Sequence, residues 1–170
     1  AGEKDCPTGD DPQAGVQKIA DLLADVETNP LPADTGRPLT AAQTTTGVIG
    51  SLYSAEEGWQ SLFYALDSAF QGDGFRLQAL ADWLTERKPN GTYANNANEA
   101  LYAVNCIDRP DRFDPEATQQ QAQEWSKEAP IFGAALAWGN LPCYYWPVPA
   151  VDEPGPIAAP GTPPILVVGT

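Results

Sequence analysis

The chain has 170 residues, 42% of them hydrophobic, enough for one domain with a core and too apolar for a disordered segment. Its 9 Lys and Arg stand against 23 Asp and Glu, and the formal net charge of -14 excludes nucleic acid and anionic lipid surfaces as partners. With no histidine, the chain cannot assemble a Ser-His-Asp triad, a Cys-His dyad or most zinc sites alone.

No stretch approaches the ~20 apolar residues of a membrane-spanning helix, and no basic, apolar leader opens the chain. A start at Ala1 and the lack of any Met read as a processed product or an excised piece. Cys6, Cys106 and Cys143 lie far apart, without the Cys-x-x-Cys spacing of a zinc site. They leave two readings. In an oxidising compartment Cys106 pairs with Cys143, and Cys6 is left for a cysteine outside the chain; in a reducing one all three are buried thiols.

Along the chain, Asp11-Pro12 supplies an N-cap and a Pro at the first helical position, and Val16, Ile19, Leu22, Leu23 and Val26 continue a helix over 12–28. Asn29-Pro30 ends it, and residues 31–39 read as an extended loop with a turn at Asp34-Thr35-Gly36. Thr40 and Gln43 form a capping box for a helix carrying Val48, Ile49 and Leu52, weakened by three threonines and two glycines.

Ser54 and Glu57 form a second capping box, for a helix to about residue 71 with Trp59, Leu62, Phe63, Leu66 and Phe70 at helical spacing. Gly72-Asp73-Gly74 breaks it, and Phe75, Leu77, Leu80, Trp83 and Leu84 mark the next. The spacing sends Trp59, Phe63, Phe70, Phe75 and Trp83 into the helical core, against a second reading as walls of a substrate cavity. Further helices are expected over 93–106, over 115–127 behind Asp114-Pro115, and over the apolar stretch 131–138. From residue 143 a Pro-rich strap without periodicity leads to Ile165, Leu166, Val167 and Val168, a short strand apolar on both faces with nothing in the chain to pair with.

The motifs "DCPTG" (5–9), "NPLP" (29–32), "GRPLT" (36–40), "AVNCID" (103–108), "CYYWP" (143–147) and "PPILVVGT" (163–170) occur in that order. Together they resemble the secreted actinobacterial tripeptidyl-aminopeptidase-like serine hydrolases of the α/β-hydrolase fold. The resemblance implies a mainly α chain: a helical cap over 1–142, a connecting strap over 143–162, and one strand of the hydrolase sheet over 163–170. In the family the nucleophile lies upstream in a Gly-x-Ser-Tyr-Gly elbow, the acid follows the strand in an Asp-Pro-x-Thr-Pro context, and the histidine comes later in a Gly-His pair. None of the three is in this sequence, so no catalytic residue is assigned here. Ser51 lacks the second glycine of an elbow, and Ser61, Ser68 and Ser126 fall within expected helices.

The implied protein is a secreted or cell-envelope peptidase that releases short peptides from N-termini and needs no cofactor or metal. Its partners are the remainder of the hydrolase domain and a peptide or ester substrate. Tyr144, Tyr145 and Trp146, beside a possible disulfide at Cys106 and Cys143, are the candidate substrate-facing cluster. An exopeptidase also needs a carboxylate for the substrate ammonium, for which Glu99 and Asp108 are the candidates, with a solvated face as the common alternative. Asp108 to Arg112 alternates charge and reads as a solvated, locally paired turn. A carboxylesterase cap and a free-standing helical binding module are the rival functions.

Overall fold

The computed structural model describes residues 5–34, 36–151, 155, 158, 160–163 and 166. These form eight helices and a two-stranded antiparallel hairpin. α1 (Pro12–Thr28) begins as expected, with the Asp11 carboxylate accepting from the Gln13 and Ala14 amides at 2.8 and 3.0 Å. Leu22 and Val26 are its buried residues toward the core.

The stretch read as a loop is a hairpin, β1 (Leu31–Asp34) and β2 (Arg37–Leu39), with Leu31 opposite Leu39 and Asp34 opposite Arg37. The expected turn is present, with Gly36 at φ +75°. Pro32 and Pro38 disguised the strands, but both strands are edges, where a missing N–H costs no ladder bond. The hairpin is fastened to α4 (Phe75–Leu84) by side chains. Buried Gln78 donates to the Arg37 carbonyl and accepts from the Asp34 amide, each at 3.1 Å, while the Arg37 guanidinium grips both Asp82 oxygens at 2.8 and 2.9 Å.

α2 (Ala41–Ser51) opens with Gln43 accepting from the Thr40 amide at 3.0 Å, its half of the capping box. Thr44, Thr45 and Thr46 return their hydroxyls to the carbonyls four residues back, so the two that are buried are not orphaned. The glycines that weaken this helix in isolation make its tertiary contact. A Cβ on Gly47 would fall on the Leu77 carbonyl, and one on Gly50 would lie 3.2 Å from both the Leu80 carbonyl and Leu84 Cβ. α2 and α4 therefore meet backbone to backbone.

α3 (Ala55–Phe70) starts at Ser54 as read, yet the Ser54 side chain makes no capping bond. Glu56 and Glu57 sit in the first turn, where the helix dipole favours them. Leu22, Val26, Leu39, Val48, Ala65, Leu66, Ala69 and Leu77 form the core. The core reading holds for Phe70, which packs against this cluster, and is corrected for Trp59, Phe75 and Trp83. Trp59, Phe75 and Trp83 are 62%, 53% and 60% exposed, and Phe63 and Phe70 are half-buried. With glycines and alanines at the helix crossings, the space between helices is too thin for rings, and aliphatic side chains fill it.

The second half comprises α5 (Ala97–Asp108), α6 (Pro115–Glu128), α7 (Gly133–Gly139) and α8 (Leu141–Tyr144). Asp114 caps α6 by accepting from the Ala117 amide at 2.8 Å. Gly133 lets α7 return directly onto α6, since a Cβ there would overlap the Trp125 carbonyl. Phe132, at the entry to α7, packs against the core of the first half. α8 falls where an irregular strap was expected, so the 142/143 boundary lies inside a helical turn. The expected strand over 163–170 lies mostly outside the described residues.

Gly47→Ala should destabilise the chain by about 1–3 kcal/mol through overpacking against α4. Gly139→Ala, where a Cβ meets nothing within 4 Å, should be neutral or slightly stabilising. Urea denaturation of the two variants checks the contrast.

Candidate functional site

α5 and α8 are joined by a disulfide between Cys106 and Cys143, both buried. A helix of four residues has no stability of its own, so the bridge and the packing around it hold α8 in place. Three further bonds complete the junction: the Arg112 guanidinium caps the end of α5 by donating to the Cys106 carbonyl and, at 2.7 Å, to the Arg109 carbonyl, and the Val151 amide donates to the Ile107 carbonyl at 3.1 Å. The charged turn after α5 is thus organised by an arginine on backbone carbonyls.

Tyr144 and Tyr145 follow the bridge as an edge-to-face pair with ring centroids 4.9 Å apart, both exposed. Trp146 is half-buried, and its indole Nε1 has no hydrogen-bond partner. The two candidate carboxylates are not brought together. Glu99 stands in the first turn of α5 and Asp108 is its last residue, nine positions on, which places them about 13 Å apart along the axis and on opposite faces. The bridge ties the tyrosine pair to the half of α5 that ends in Asp108. Both carboxylates are exposed.

Ser51 is buried, and its hydroxyl donates to the Gly47 carbonyl at 2.9 Å; Ser126 donates likewise to the Ala122 carbonyl at 2.7 Å. Both behave as helix residues. No group of His, Cys, Asp and Glu able to hold a metal occurs among the described residues.

Sequence reasoning missed an ionic cluster on the first half. A groove of about 770 Å³ runs along α4, bordered by Asp34, Phe75, Gln78, Asp82, Trp83 and Arg87. Two of its charges are committed to the fold: Asp82 holds Arg37 and stands 3.8 Å from Arg87. The hydrogen bond that Arg37 donates to Asp82 pushes the guanidinium pKa further up. A sequence separation of 45 residues hides such a pair from any local pattern.

Cys6 is a free, exposed thiol whose Sγ lies 3.2 Å from the Thr8 hydroxyl. That hydroxyl, donating to the thiolate, holds the Cys6 pKa below its ordinary value.

The mainly helical fold is that of a helical cap of an α/β-hydrolase. Residues 129–170 match the family described as TAP-like protein. The chain is 34% identical over 176 residues to "Serine protease Hip1" of Mycobacterium tuberculosis and of Mycobacterium bovis, covering 97% of this chain and 33% of the relative. It is 34% identical over 169 residues to "Carboxylesterase B" of Mycobacterium tuberculosis, covering 97% of this chain and 32% of that protein. The chain is thus similar to these relatives along nearly all of its own length and spans about a third of theirs.

Removing the bridge with Cys106→Ser and Cys143→Ser should cost about 4 kcal/mol, given a sequence separation of 37, and lower the urea midpoint. Thr8→Val should raise the Cys6 pKa and leave less thiolate at neutral pH, so alkylation by iodoacetamide slows; an unchanged rate would show that Thr8 does not set it.

Proposed function

We propose that this chain is the cap of a secreted serine peptidase of this family and that it governs access and selection while the bond-making groups come from elsewhere in the protein. The observation that carries the reading is the match over 97% of the chain to a serine protease by a segment that has no histidine. In the complete enzyme the reaction is acyl transfer, by serine attack, proton transfer through histidine and an oxyanion held by backbone amides. A location in the cell envelope or outside the cell suits the disulfide.

The substrate is a peptide with a free N-terminus. Tyr144, Tyr145 and Trp146 flank its path, and Asp108 holds its ammonium. Asp108 is preferred to Glu99 because it lies two residues beyond the bridge that anchors the tyrosine pair. The identity to a carboxylesterase, equal to that with the protease, supports acyl esters as the second reading.

In the complete enzyme Asp108→Asn should lower kcat/KM about 10- to 100-fold on a peptide anilide with a free N-terminus, the worth of one charge-assisted hydrogen bond. An N-acetylated peptide should be unaffected, and Glu99→Gln should change neither. Equal losses on both peptides would remove the assignment, and turnover of esters alone would favour the second reading.

A further inference from the structure

The second half has a concave pocket of about 250 Å³ between α5 and α7, with Cys143 among its lining residues. Leu101 on α5, Leu136 on α7 and Phe113 give it apolar walls, and both leucines are exposed although they line a concave surface. Its uncharged polar groups are two amides and a phenol. The Asn105 amide and the Tyr102 hydroxyl have no hydrogen-bond partner among the described residues. Asn140 spends its Nδ2 on the Leu136 carbonyl at 3.3 Å and keeps its Oδ1 as an acceptor. The two charges on the lining, Arg109 and Asp111, are opposite in sign and leave the site without net charge.

An anion is disfavoured here by Asp111 and by the C-terminus of α5, and a cation by Arg109. What fits is a neutral ligand with an apolar branch and both a donor and an acceptor, which is one residue of a peptide: its side chain between the leucines, its peptide group against Asn105 and Asn140. The volume is below the range of sites that enclose a whole small molecule, which suits a single residue of a longer chain. Tyr144, the first of the exposed tyrosine pair, directly follows in sequence the lining residue Cys143.

We propose that this cavity is a side-chain subsite for the peptide substrate, taking one apolar residue of Leu or Phe size, with Leu101, Leu136 and Asn105 as its specificity-determining residues. It rests on the peptidase reading given above. The test uses the complete enzyme and a series of tripeptidyl anilides carrying Ala, Leu or Phe at each position in turn, with p-nitrophenyl acetate reporting the serine machinery. Leu136→Trp, or Leu101→Trp from the opposite wall, fills the cavity from an exposed position. At one substrate position it should lower kcat/KM for Leu and Phe at least tenfold relative to Ala, with acetate turnover unchanged. Asn105→Leu should lower all the peptides alike and spare the acetate. If neither Trp variant changes the side-chain preference at any position, another part of the protein occupies the cavity and the subsite is refuted. If the unsubstituted enzyme cleaves acetate but no peptide, the peptidase reading itself fails, and the subsite with it.

Discussion

The first half of the molecule depends on how closely α2 approaches α4. Gly47 and Gly50 bring the two backbones into contact, and Leu77 is sealed beneath them. Everything on the other side of α4 follows from that placement. Gln78 is the next residue after Leu77, so it reaches the hairpin and supplies the bonds its two edge strands cannot give each other. Asp82, one helical turn on, is in place for Arg37. A two-stranded ribbon of this length is marginal in water, and here its register is set by α4.

The same approach explains where the aromatic residues went. A core only as deep as two touching helices accepts Leu, Val and Ala, and it turns Trp59, Phe75 and Trp83 outward. Exposed rings of that size are a surface property that needs a partner or a ligand.

The starts of α1 and α6 were legible because caps are local, whereas α5, expected from residue 93, starts at Ala97. Asp11 with Pro12 and Asp114 with Pro115 announce α1 and α6 within a few residues, and the structure places both starts there. The hairpin was not legible, because its strands are short, hold prolines and owe their pairing to Gln78, some forty residues away. Core membership failed for a related reason. Helical spacing says which residues share a face, but it does not say whether that face meets a neighbour. The family was legible from ordered motifs, and so was the absence of a triad from the sequence. The ionic cluster at Arg37, Asp82 and Arg87 and the cavity between α5 and α7 arise from tertiary placement alone, and no sequence pattern encodes them.

The bridge between Cys106 and Cys143 makes a covalent ring of the chain between them, and α6 and α7 lie wholly within it. A protease that cuts the turn after α5 or the connection between α6 and α7 opens the backbone without releasing either piece. Such a nicked molecule keeps its mass and its tyrosine pair attached until a reductant arrives. A single cut inside that ring leaves the two pieces joined, whereas a cut in the first half has no disulfide across it among the described residues.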